Sequence, residues 1–221
     1  MVVGAGKRIV SLVPSVTETL LAWGVTPVAC TSFCGQKHLK HVGGTKNPEI
    51  EAIAELAPDL VLVDREENRK QDFDALKSQG LTVMALHVTS LETCEQEMNR
   101  LAQAIGVQRE DVNIPSSKDT CAVVAFVPIW RKPWMTINGM SYGASLLRSI
   151  GIDVSHASSK DPYPVLSMSQ FPISNASVAL LPSEPYTFGE KHISEIRELC
   201  GIDDVRLIDG KDLFWWGHRT P

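Results

Sequence analysis

The sequence predicts an α/β protein of two Rossmann-like lobes with parallel sheets, a ligand cleft between them and a shortened inter-lobe connection. Two observations carry this. First, the chain says nearly the same thing twice. Arg8-Ile-Val-Ser-Leu-Val-Pro14-Ser15 leads into a helix-like run ending at Gly24, and Cys121-Ala-Val-Val-Ala-Phe-Val-Pro128 precedes another ending at Gly151. Second, each half holds a further apolar run that stops in an acidic loop: Pro58 to Asp64-Arg65-Glu66-Glu67, and Ala176 to Pro182-Ser183-Glu184-Pro185. Between the halves, 107–120 is polar, aperiodic and proline-bearing. The expected division is therefore 1–106 for the N-terminal lobe, 107–120 for the connection and 121–221 for the C-terminal lobe.

The elements follow in order. Lys7–Val13 is a near-continuous apolar run, as a strand covered on both faces requires. Ser15-Val-Thr-Glu18 reads as a capping box opening a helix that Gly24 ends. A strand at Pro27–Ser32 precedes an irregular polar stretch from Phe33 to Asn47. Pro48, at a first helical position, starts a short helix through Leu56. Leu60–Asp64 is a strand, Asn68–Gln79 a helix stopped by Gly80, Leu81–His87 a strand, and Ser90–Ile105 a helix ended by Gly106. In the second half, strands are expected at Cys121–Val127, Val178–Leu181 and Val205–Ile208. Helices are expected at Tyr142–Ser149 and from Gly189 to Cys200. The aromatic tail, Phe214 to Pro221, carries no closing helix.

Composition excludes several classes. A net charge of −5 leaves no cationic excess to neutralise phosphates, so the chain is not a basic nucleic-acid binder. No run of about 18 apolar residues is present to span a membrane. Residues 1–7 are too short and too weakly apolar for a secretory signal, so the chain is cytosolic or follows a removed leader. The cysteines at 30, 34, 94, 121 and 200 are odd in number and irregularly spaced, which suggests buried thiols rather than a disulfide framework.

Four constellations could carry chemistry. Trp130 and Trp134 flank Arg131-Lys132-Pro133, Trp215 and Trp216 lie near the end, and Tyr163 and Tyr186 sit in proline-rich turns. Such rings suit a large planar ligand, or else plug the sheet ends as core. Loops after strand carboxyl ends, at Pro14-Ser15, at Arg65 to Glu67 and at Ser183 to Tyr186, are where open parallel sheets bind ligands. Cys34, His38 and His41 have metal-ligand types, but no fourth ligand is nearby and Lys37 and Lys40 oppose a cation, so no metal is assigned. Gly139-Met-Ser141-Tyr-Gly143 fits a hydrolase elbow, with Asp209 and His218 in suitable order. The competing reading is a plain helix entry. No dinucleotide fingerprint or P-loop is present.

Three segments together resemble the class III periplasmic binding proteins, the solute receptors of ABC importers for vitamin B12, haem and iron-siderophores. They are Arg8-Ile-Val-Ser-Leu-Val-Pro-Ser-Val-Thr-Glu18, the pair Val42-Gly-Gly-Thr45 and Glu51-x-Ile-x-x-Leu-x-Pro-Asp-Leu-Val61, and Pro128-Ile-Trp-Arg-Lys-Pro-Trp-Met135. The similarity runs from Lys7 to Pro221 and is nearest the cobalamin or "helical backbone metal receptor" subgroup. It implies a non-enzymatic receptor without a resident cofactor, binding a corrinoid, haem or ferric chelate and feeding an ABC transporter permease. Pro14, Phe33, Arg65, Trp130, Tyr163 and Trp216 then fall at the ligand, with Trp134, Tyr186 and Arg219 added from the residue reading. Arg65 and Arg219 would meet anionic groups of the ligand. Glu51 falls where the family docks on its importer, whereas the matching second-lobe position, near Ser169, is not acidic. The 107–120 span holds too few residues for the family's bridging helix at about 1.5 Å per residue. The family's compartment is periplasmic or membrane-anchored. The alternatives are a cytosolic relative repurposed for scavenging or partner binding, including as a homodimer, and a serine hydrolase using Ser141.

Overall fold

The computed structural model describes residues 6–109 and 120–221. Most of the expected inter-lobe connection, 110–119, lies outside the described residues. The described chain forms two compact units. One gathers residues 6–88, 93–109 and 216–219, the other 89–92, 120–215 and 220–221. The tail 216–219 thus folds with the first unit, although it is read from sequence as part of 121–221.

In the first unit, β1 (Ile9–Ser11) leads through α1 (Pro14–Ala22) to β2 (Ala29–Cys30) and then β3 (Lys40–His41). A small antiparallel pair, β4 (Gly43–Gly44) and β5 (Asn47–Pro48), precedes α2 (Ile50–Glu55). The chain then crosses to β6 (Leu60–Asp64), α3 (Lys70–Ser78), β7 (Val83–Leu86) and α4 (Leu91–Ile105). The five main strands are parallel in the order β3-β2-β1-β6-β7. Order reverses between β1 and β6, so the topological switch point lies where Pro14 follows β1 and Arg65 follows β6. All five residues of β6 are buried, as a central strand covered on both faces demands. Val10, Leu12, Val61 and Val63 meet Ile53 and Leu76 in the core.

In the second unit, β8 (Val123–Phe126) runs into β9 (Pro128–Trp130), β10 (Trp134–Thr136), α5 (Tyr142–Ser149) and β11 (Ile152–Val154). Then come β12 (Val165–Leu166), β13 (Val178–Pro182), α6 (Ile193–Cys200), β14 (Asp204–Ile208) and α7 (Gly210–Phe214). β11-β8-β13-β14 is a four-stranded parallel sheet. The expected α/β class with two parallel sheets therefore stands. A three-stranded antiparallel sheet, β12-β10-β9, is additional. Pro133 argues against a strand there, but it sits in the turn before β10, where no ladder donor is needed.

Two local expectations are corrected and one unforeseen element is added. α1 begins two residues early: Val13 is the N-cap without a side-chain bond, and Pro14, with its fixed φ, occupies the first turn. Ser15 therefore caps nothing, and Glu18 turns to another partner. Pro48 lies in β5 rather than at a helix start, and α2 begins at Ile50 after Glu49. A short helix, α7, precedes the aromatic tail, with the Asp209 side chain accepting from the Lys211 N–H as its cap.

Candidate functional site

At the first unit's switch point, one side chain knits the strand-end loops together. Asn68 Oδ1 accepts from the Asp64 N–H at 2.8 Å, and its Nδ2 donates to the carbonyls of Leu12 at 3.2 Å and Thr45 at 2.9 Å. Asp64 Oδ1 in turn accepts from the N–H groups of Glu66 and Glu67. Lys46 Nζ ties the Glu66 carbonyl to the β4–β5 loop at 2.9 Å. Arg65 stands at the apex of this clasp with its side chain exposed, its own N–H bound to the Leu86 carbonyl. Phe33, 65% exposed, packs its ring edge over Gly44, where a Cβ would come within 2.9 Å of Cε2. An exposed ring and an exposed guanidinium thus share one rim, held by hydrogen bonds.

Two buried oxygens at this switch point, Ser15 Oγ and Asp64 Oδ2, have no partner among the described residues. Burial pushes the Asp64 carboxyl up to about 6. The two backbone donors pull it down, and the nearby Glu66 charge adds to the rise while His87 offsets it.

The second unit builds its corner from rings. Trp130, 43% exposed at the end of β9, meets Tyr186 edge-on with centroids 5.7 Å apart. Tyr186 rests on Phe188 at 4.7 Å and on His192 at 5.7 Å, and Phe188 stacks on Trp134 at 10° between planes. The buried His192 accepts from the Gly189 N–H through Nδ1 at 2.9 Å, which fixes its ring beneath Tyr186. Arg131, next to Trp130, makes bonds of 3.0 and 2.7 Å to Glu195 Oε1. Glu195 raises the arginine above its ordinary range, with Tyr186 contributing.

The remaining predicted residues distribute unevenly. Trp134 is corrected to core: it is 8% exposed, in the cluster of Phe126, Leu166 and Leu181. Because β10 alternates, Trp134 faces inward, the plugging reading of these rings. Pro14 and Trp216 are also buried. Tyr163 is half-buried against the cluster of Ile137 and Leu147. Arg219 is engaged by Glu18 in a two-bond fork of 2.7 and 2.9 Å. The tail is pressed onto α1 there: His218 N–H donates to Thr19 Oγ1, and a Cβ on Gly217, at φ +111°, would collide with that oxygen. Glu51 is exposed in the first turn of α2. A concavity of about 650 Å³ lies elsewhere, lined by Asn99, Gln103 and Arg109 among others, and includes none of the candidates.

The hydrolase reading is corrected by the geometry at Ser141. Its hydroxyl donates to the Asn138 carbonyl at 3.0 Å and accepts from the Ala144 N–H, so it is the N-cap of α5. Cys34 Sγ lies 3.2 Å from the hydroxyls of Thr17 and Thr31 in the core, and His41 Nε2 meets the Gln36 carbonyl. Among the described residues no three metal-ligating side chains cluster. Nor, among them, is any helix long and apolar enough to cross a membrane.

Sequence reasoning did not single out Asn68, the hub of the first rim, or Phe188 and His192, the supports of the second. For Asn68 the signal was available: a polar side chain four residues beyond an apolar strand that ends in Asp64.

The fold is one of two parallel-sheet units, and known proteins share it. Residues 9–117 match the model of the periplasmic binding protein family. A vitamin B12-binding protein of Yersinia pestis (strain Pestoides F) is 26% identical over 184 residues, covering 75% of this chain and 66% of its own length. For a Salmonella paratyphi A homologue of the same description the covered share falls to 38%. Among solved structures, the periplasmic vitamin B12 binding protein BtuF of Vibrio cholerae superposes with a TM-score of 0.77 at 21% identity, over 97% of this chain and 92% of that one. The periplasmic heme binding protein HutB of Vibrio cholerae superposes with a TM-score of 0.78 at 17% identity, over 97% and 94%. The chain is thus similar to the periplasmic binding protein family over residues 9–117, and it shares the fold of the BtuF and HutB structures over 97% of its length.

Proposed function

We propose that the chain is a solute receptor for a corrinoid or a haem-like or ferric chelate, delivering it to an ABC importer in the compartment where its relatives work. The observation that carries this is the Trp130–Tyr186 corner. An indole left 43% exposed is held by ring contacts rather than left to swing. Supported flat apolar area with polar edges suits a large planar ligand and limits the side-chain entropy lost on binding. Phe33 and Arg65 supply the first unit's counterpart, a ring with a cation able to meet a carboxylate or phosphate. Glu51, an exposed carboxylate in a helix's first turn, supports docking on a basic partner surface.

The test is a titration of the purified protein with cyanocobalamin, haemin and a ferric catecholate chelate, read by tryptophan fluorescence. At least one is expected to quench saturably. Flat curves across all three would overturn the reading.

A further inference from the structure

Two buried cysteines bracket the turn that carries Phe33 in the first unit. Cys30 ends β2, and Cys34 ends the single 3-10 turn Ser32–Cys34 that follows. The turn closes with the Cys34 N–H donating to the Thr31 carbonyl at 3.1 Å, and Gly35, at φ +68°, then reverses the chain. This folding-back brings the Cys34 sulfur to the Thr31 hydroxyl at 3.2 Å. The Cys30 thiol lies near enough that the two cysteines interact electrostatically. Both sulfurs are free thiols here, while Cys94, Cys121 and Cys200 lie elsewhere in the chain. Four residues through a tight turn is a span compatible with the Cα separation of about 4.4–6.8 Å that a disulfide needs.

We propose that Cys30 and Cys34 are a dithiol that closes into an intramolecular disulfide in an oxidising thiol–disulfide environment, fixing the turn that presents Phe33. The chemistry balances against a small-molecule disulfide as oxidant. One thiolate attacks the oxidant's S–S bond, forming a mixed disulfide and releasing one thiolate. The second cysteine gives up its proton and displaces the other half. The protein loses two electrons and two protons, and the oxidant leaves as two thiols. Burial, with Cys34 beside it, pushes the Cys30 thiol up. Cys34, 6% exposed against 0% for Cys30, is the sulfur an incoming disulfide reaches first. The inference stands apart from the ligand reading.

The experiment equilibrates wild type, Cys30→Ser and Cys34→Ser with mixtures of oxidised and reduced glutathione. It does so both with folded protein and by refolding from urea, followed by acid quench, alkylation and trypsin. Both cysteines and no other fall in the peptide Ile9–Lys37. In oxidising mixtures the wild-type peptide is expected unalkylated and lighter by two hydrogens, slowly from folded protein and readily on refolding. Each variant is expected to leave its remaining cysteine alkylated or glutathione-capped. Refolded wild type that stays alkylated at both positions, or carries glutathione on one without the internal bond, would overturn the pairing. Oxidation is also expected to slow amide exchange across residues 31–35 at least severalfold, and not in Cys30→Ser. Unchanged exchange would overturn the claim that the bond fixes the turn.

Discussion

In the first unit the strand-end loops are tied by polar side chains: Asn68 reaches two other loops at once, and Asp64 gathers two backbone donors. In the second unit the comparable corner is rings upon rings, from Trp130 through Tyr186 to Phe188 and Trp134. The two devices differ in what they respond to. A buried hydrogen-bond hub is directional and sensitive to charge, and losing one member strands the rest. A ring stack is sensitive above all to volume, because its energy lies in contact area and its geometry in packing. Both hold an exposed side chain in place, and each can be broken separately.

The largest expected effect is on the ring stack. Phe188→Ala removes the ring that Tyr186 and Trp134 both touch. It should destabilise the protein by about 3–5 kcal/mol, measured by urea unfolding. A loss below about 1 kcal/mol would show that packing elsewhere, not this stack, fixes the corner. Asn68→Ala comes next. It leaves the Leu12 and Thr45 carbonyls without their donor and should cost about 2–3 kcal/mol. Amide exchange should rise around residues 64–68 and leave the second unit unchanged.

This contrast explains what the sequence could reveal. Leu60–Asp64 and Tyr142–Ser149 were legible because five buried positions in a row, and a serine before an apolar helix period, each have one local solution. The capping box at Ser15 was misread because Pro14 can take the first helical turn itself, a choice settled by the backbone direction leaving β1. Arg219 read as a ligand cation because its partner, Glu18, is 201 residues away. Trp134 and Trp130 look alike in sequence. They separate only once the β9–β10 hairpin turns one inward and leaves the other at the strand end.

The charge sensitivity of the polar clasp gives a third, smaller effect. Asp64 holds its proton to about pH 6 in the folded chain against an ordinary 3.8, so the folded state binds the proton more tightly than the unfolded one. Stability should therefore fall as pH rises from about 4 to about 6, by at most about 3 kcal/mol, and then level off. Asp64→Asn keeps an oxygen for the Glu66 and Glu67 donors and should flatten that slope in urea midpoints recorded across pH. A wild type whose midpoint rises over the same window would contradict the burial argument. The smallest effect belongs to the tail. Arg219→Ala breaks a partly exposed ion pair and should cost about 1 kcal/mol or less, diminishing in salt.

The most direct measurement is calorimetric titration of cyanocobalamin, haemin and a ferric catecholate chelate into wild type and Trp130→Ala, with urea midpoints for both proteins. At least one of the three should bind wild type, and Trp130→Ala should weaken it by about tenfold or more while leaving the midpoint unchanged, as an exposed side chain supported from below requires. Equal affinity for the two proteins would contradict the account, because the corner would then hold nothing.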